Sequence, residues 1–227
     1  MSDKNANPDL IEEVNQTLTS TEQWLEKYIK PISITTVAVI VCVCGFFAYN
    51  HFVKVPAEAK AQSDLFRGEF YIQADSFRLA LEGNGGDYEG LLAIIDEAGS
   101  TSAGNLAKAY AGIAYKNLGE YQKAIDLLSD FHADDALVAP AMIGAIGDCY
   151  VELNKTQEAI SYFKKAAEAG QNDLIAPIYL KKAGIAYESL SQYKEAMQAY
   201  EQIKNDYPTS VEAADIEKYI ERASLNK

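Results

Sequence analysis

The sequence predicts an all-α protein: a single N-terminal transmembrane helix, then an α-solenoid of paired helices, closed by a C-terminal capping helix. Two observations predict it. Residues Ile32 to Val53 contain no Asp, Glu, Lys or Arg. From Asn105 onward the chain repeats itself at spacings of 35 and 37 residues. The rest of the chain is arranged around these two features.

The apolar run is about 22 residues long, and at about 1.5 Å rise per residue a helix of that length crosses a hydrocarbon core of about 30 Å. A helix is the one single-segment solution, because lipid cannot satisfy exposed backbone groups. Thr35 and Thr36 are tolerable if their hydroxyls return to the helix's own carbonyls. Trp24 and Tyr28 lie before the run and Tyr49 near its end, where amphipathic rings favour the headgroup layer. Lys30 and Lys54 bracket it and can extend outward. A cleaved signal peptide is the alternative, and Ala57-Glu58-Ala59 imitates its cleavage site. The region ahead of the run, however, carries six carboxylates against three lysines, and the run is longer than the about 7–15 residues of a signal core.

Composition narrows the function. The formal charge is -13 with two histidines. From Lys54 onward, 27 acidic side chains oppose 17 basic ones. No basic stripe is available for phosphates, so no nucleic-acid partner is expected, and the acidity opposes contact with anionic lipid. Cys42 and Cys44 lie within the run, and Cys149 stands alone, so cysteine usage does not reveal a redox compartment.

Residues 1–31 are expected to form a short amphipathic head. Ile11, Val14, Leu18, Leu25 and Tyr28 make a helical stripe, and Ser20-x-x-Gln23 resembles a capping box. The span is 32–53. Pro56 disfavours helical geometry at Val55 and is expected to mark a joint. Residues 57–103 are then expected to form a degenerate helical hairpin. Its first helix runs over about 57–82 through Phe66, Phe70, Ala74, Phe77 and Leu81. Its second is marked by Leu91, Leu92, Ile94 and Ile95. The glycine-rich turn between them has neither a preceding strand nor the Lys-Ser/Thr of a phosphate loop.

Residues 104–209 hold three repeats. Gly112, Gly147 and Gly184 are equivalent. So are Tyr115, Tyr150 and Tyr187; Ala124, Ala159 and Ala196; and Leu128, Phe163 and Tyr200. Small residues let two helices approach closely, and the large ones fill the gaps beside them. Leu118-Gly119, Leu153-Asn154 and Leu190-Ser191 mark the tight turn inside each pair. Residues 210–227 are the capping helix and tail, beginning at Ser210, with Ile216, Tyr219 and Ile220 inward.

The repeat period and these positions resemble tetratricopeptide repeats. The whole layout, an acidic head ending in EKYIKP, one span, then repeats running to a capping helix, resembles the ancillary SecYEG translocon subunit (YfgM-like) family. It is most similar to the Bacteroidetes type, through GNLAKAYAGIAYKNLGEYQKAIDLL and GAIGDCYVELN. The resemblance implies a bacterial inner-membrane protein, single-pass, with its repeats in the periplasm near translocon components and chaperones. Charge does not decide the orientation: Lys27 and Lys30 precede the span, whereas Lys54, Lys60 and Arg67 follow it.

No catalytic constellation is visible, and no cofactor, metal or small-molecule substrate is expected. His51 and His132 have no His or Cys at metal-ligand spacing. The tyrosines fall at packing positions. The first helix of each repeat is expected to line a partner groove through Ile113, Lys116, Asn117, Asp148, Val151, Glu152, Lys181, Ile185 and Glu188. Repeats that clamp a C-terminal carboxylate place Lys and Asn where this chain has Ala109 and Ile113, so clamp-type recognition is not expected. The expected function is a non-enzymatic, membrane-anchored scaffold for proteins: translocon components, chaperones or envelope-assembly factors. The alternative is a periplasmic organiser of cell-wall or outer-membrane assembly.

Overall fold

The computed structural model describes residues 28, 29, 31 and 33–226. Trp24 and the apolar stripe from Ile11 to Leu25 lie outside the described residues. The chain divides into two compact units, Met1–Val55 and Pro56–Lys227.

In the first unit the described residues are helical. The helical stretch Ser33–Gln73 contains a window long and apolar enough to cross a membrane, and none of that window is buried by protein. A core helix of a soluble domain would be covered by its neighbours. The Thr35 hydroxyl donates to the Pro31 carbonyl at 3.0 Å, which satisfies it inside the helix.

The boundary between the two units falls at Pro56, where the joint is expected, but the backbone there does not leave helical geometry. Val55 is helical, with φ -65° and ψ -46°. A π-turn over Asn50–Lys54 precedes it, and the Val55 N–H bonds back to the Asn50 carbonyl. The widened turn shifts the hydrogen-bond ladder just ahead of a residue that has no N–H to contribute. The local preference of a pre-proline residue is overridden there.

The second unit is a succession of helices: α1 (Val55–Gln73), α2 (Phe77–Glu82), α3 (Leu91–Ala98), α4 (Ser102–Asn117), α5 (Tyr121–Ser129), α6 (Val138–Glu152), α7 (Thr156–Ala169), α8 (Ala176–Ser189), α9 (Tyr193–Asp206) and α10 (Ile216–Ser224). The helix expected across 57–82 is broken at 74–76, where Asp75 adopts φ 53°. The break lets α2 fold back so that Ala80 and Leu81 are buried. Between α2 and α3, Tyr88 is 1% exposed. Its hydroxyl donates to the Ala80 carbonyl at 2.7 Å and lies against Gly68, and its ring stacks on Tyr71.

Glu58 ties α1 to the repeats. Its carboxylate accepts the Ala103 N–H at 3.1 and 3.3 Å, in the first turn of α4. Burial alone would raise its pKa, but hydrogen bonds from Thr101, Ala103 and Gln62 together hold it below the usual carboxylate range. Thr101 completes the same N-terminus by accepting the Gly104 N–H at 3.1 Å.

The three helix pairs α4–α5, α6–α7 and α8–α9 share one packing rule. A Cβ added at Gly112 would stand 2.6 Å from Leu128, and one at Gly147 would stand 2.6 Å from Phe163. At Gly184 it would overlap Tyr200. The repeat's small residue therefore admits the large residue of its own second helix. Ala124, Ala159 and Ala196 beside these contacts are fully buried. The turns are equally regular. Gly119, Asn154 and Ser191 are left-handed, with φ 77°, 57° and 59°. The following N–H groups of Glu120, Lys155 and Gln192 each reach back to Tyr115, Tyr150 and Tyr187 at 2.9 Å. This is the Schellman arrangement, made three times.

The last helix starts later than the sequence suggests. Ser210 caps a 3-10 turn over Glu212–Asp215 through its hydroxyl, which accepts the Ala213 N–H at 3.2 Å. The α-helix proper begins at Ile216, which is buried with Ala223 against α9. Tyr219 and Ile220 pack on the same cluster.

Candidate partner groove

Helices α4, α6 and α8 stand side by side as the first members of the three pairs, and a groove of about 580 Å³ opens along them. Lys116, Asn117, Asp148, Val151, Glu152 and Ile185 line it, six of the nine residues expected from repeat register. Val151 and Ile185 are 42% and 46% exposed, so the groove offers open aliphatic surface.

Its charges are largely committed to each other. Asp148 on α6 accepts Lys182 Nζ of α8 at 2.6 and 2.9 Å, and Lys116 Nζ of α4 lies 3.6 Å from the same carboxylate. One carboxylate thus links all three repeats. Glu152 accepts the Tyr121 hydroxyl at 3.4 Å. Burial, then the neighbouring Glu152, pushes the Tyr121 phenol up. Lys182 also lies over the Phe163 and Tyr179 rings, at 5.6 and 5.7 Å. A partner that draws on Lys116 or Lys182 must compete with Asp148, whereas Val151 and Ile185 need only be covered.

Three expected residues are elsewhere. Ile113 packs into the core with Leu128, Ile146 and Cys149. Lys181 is paired with Asp215 at 2.6 Å and sits 4.5 Å from the Tyr219 ring. Glu188 accepts Arg222 at 2.6 Å. Lys181 and Glu188 are consumed because the capping segment occupies the place a further first helix would take. The groove instead receives Lys182, one position along α8 and so about 100° around it. Tyr121, Thr156, Phe163, Ala186 and Ser189 also line the groove without having been expected. Three of these follow from register: Ser189 holds the repeat position of Asn117 and Glu152, and Tyr121 and Thr156 are equivalent first residues of α5 and α7.

Cys149 lies behind the groove, fully buried. Burial pushes its thiol up to about 11, which keeps it protonated and unreactive. Among the described residues, no three His, Cys, Asp or Glu side chains gather where a metal ion could sit.

The groove and the glycine-to-large-residue packing define a class of protein, the tetratricopeptide-repeat solenoid. Two tetratricopeptide-repeat family profiles match, over residues 141–172 and 180–210. Among solved structures, the chain is similar to a Podosopora anserina protein described as a kinesin light chain with nearly identical TPR-like repeats. The TM-score is 0.55 at 16% identity, covering 74% of this chain and 87% of that one. A point variant of the same protein gives 0.55 at 15% identity over the same shares. These likenesses establish the fold. No curated protein sequence matches. A tetratricopeptide fold typically serves as a scaffold that binds other proteins.

Proposed function

We propose that this chain is a membrane-anchored tetratricopeptide scaffold, ancillary to the Sec translocon and its periplasmic chaperones, in a bacterial inner membrane. Residues 1–31 form the cytoplasmic head, 32–53 the span, 57–103 a leading helical segment, 104–209 the three repeats and 210–227 the cap and tail. The observation that carries the scaffold reading is the groove: open aliphatic surface at Val151 and Ile185, framed by Lys116 and Lys182 already paired with Asp148. Such a surface gains free energy by being covered, at about 25 cal/mol per Å² of apolar area, without leaving a partner's charges unmatched.

The anchor reading is supported by the uncovered apolar window and by Glu58. Cleavage after Ala59 would remove the carboxylate that completes the N-terminus of α4, which argues for a retained segment. The translocon assignment and the orientation rest on the resemblance of the whole layout. Affinity purification of the tagged full chain in mild detergent tests the assignment. Translocon subunits should co-purify. Recovery of cell-wall or outer-membrane assembly factors alone would replace the proposal with the alternative role. Protease added to intact spheroplasts should digest the repeats, and protection until lysis would reverse the orientation.

A further inference from the structure

A second surface lies on the loops that join one repeat to the next. Leu137, Leu174 and Val211 follow one another at 37-residue intervals, and they are 50%, 62% and 85% exposed. Each stands in the loop leading into the next helix pair or the cap. Val138 beside the first is 44% exposed.

The three loops are stitched into a row. Asn172 Nδ2 donates to the Ala136 carbonyl at 3.1 Å, and the Thr209 hydroxyl donates to the Asp173 carboxylate at 2.6 Å. In both cases the donor sits two residues before its own loop's aliphatic residue, and the acceptor sits one before that of the preceding loop. Equivalent positions are thus bonded twice, once to a backbone carbonyl and once to a carboxylate, and the bonds hold successive loops side by side. None of the three aliphatic residues lines the groove. The ridge is also acidic: the segments 130–138, 170–176 and 206–213 contain six carboxylates and no Lys or Arg, and although Lys108 pairs with Asp130 and Asp135 accepts N–H groups at the start of α6, the negative charge of the row predominates.

We propose that this ridge docks a basic amphipathic helix of a partner protein. The hydrogen bonds between successive loops hold them within side-chain reach of one another, and seven residues of helix rise about 10 Å. Apolar side chains at every seventh position of a docked helix therefore keep step with Leu137, Leu174 and Val211. Lys and Arg on its flanks meet the carboxylates, which also speed encounter and set orientation. The same charge repels a second copy of this acidic chain and an anionic lipid surface, so neither is the occupant.

The probe is a synthetic Leu/Lys helix with leucine at every seventh position and at the intervening third or fourth. A Leu/Glu peptide of the same pattern is its control. Binding is followed by fluorescence anisotropy to the full chain in zwitterionic nanodiscs, with empty nanodiscs as blank. The Leu/Lys peptide should bind and the Leu/Glu peptide should not. Combining Leu137→Ser, Leu174→Ser and Val211→Ser should weaken binding at least about tenfold. All three side chains are exposed, so an unchanged thermal melt should confirm folding. Raising the salt about tenfold should weaken binding further. The groove variant Val151→Asp should bind the peptide as the parent does. Equal affinity of the ridge variant and the parent overturns the proposal, as does equal binding of the acidic peptide. Loss of binding in Val151→Asp alone would move the peptide to the groove, overturning the ridge while leaving the scaffold reading intact.

Discussion

The middle and the C-terminal end of the solenoid present the same repeat positions to different neighbours. Lys116, Val151 and Glu188 are equivalent, as are Asn117, Glu152 and Ser189. In the middle, Val151 stays 42% exposed and its helix looks into an open groove. At the end, the equivalent Glu188 has a side chain only 14% exposed, because Arg222 of α10 covers it. Lys181 is likewise taken up by Asp215, just ahead of α10. Repeat register determines which way a side chain points. The next element along the stack determines whether it meets a partner, a neighbour or water.

The two regions share the packing behind them, and disturbing it should have the largest effect. Ala159 is fully buried beside the contact of Gly147 with Phe163. Ala159→Leu forces extra volume between α6 and α7 and should cost roughly 1–3 kcal/mol, read as a lower midpoint in thermal or urea denaturation. An unchanged midpoint would mean that the two helices do not meet there.

Effects confined to one end should be smaller. Arg222→Ala leaves the mostly covered Glu188 without its partner. It should cost about 1 kcal/mol, discounted because Arg222 itself is half exposed. Hydrogen exchange should accelerate in α10 and not in α6. Tyr200 offers the opposite sign. Its hydroxyl is buried without a hydrogen-bond partner, although the Glu188–Arg222 pair is near enough to influence its titration. Tyr200→Phe removes that unsatisfied group and should raise stability by about 1 kcal/mol, seen as a higher melting midpoint.

The smallest effect is an acid response at the same end. The hydrogen bond from Lys181 holds the Asp215 carboxyl below its ordinary value of 3.8, outweighing the opposing effect of burial. A lowered folded-state pKa contributes stability that is present above that ordinary value and is lost as pH falls through the folded one. Protection of α10 should therefore be flat from neutral pH to about 4 and decline below it, and Asp215→Asn should abolish the difference.

Most of the repeat architecture was legible because it is written three times. Gly112, Gly147 and Gly184 face Leu128, Phe163 and Tyr200, and three copies of one spacing distinguish packing from coincidence. For the same reason register brings six of the nine expected residues to one cavity. Lys182 was not legible, because its counterpart in the preceding repeat is Ala145, so no charged residue recurs to mark the direction. Lys181 and Glu188 were misplaced because register describes a repeat followed by another repeat, and theirs is followed by a cap. Glu58 and Tyr88 lie outside the repeats altogether. Each acts through contacts that occur once and so leave no period in the sequence. Pro56 followed no local rule, because a π-turn absorbed it.

The central claim is that the open middle of the solenoid, and not its outer face, holds the partner. Site-specific photo-crosslinking tests this in cells. One full-length variant carries a photoreactive residue in place of Val151 on α6. A second carries it in place of Glu201, which is exposed on α9. The account predicts a covalent adduct with an envelope protein from position 151 and none from position 201. Adducts from position 201 alone would contradict it.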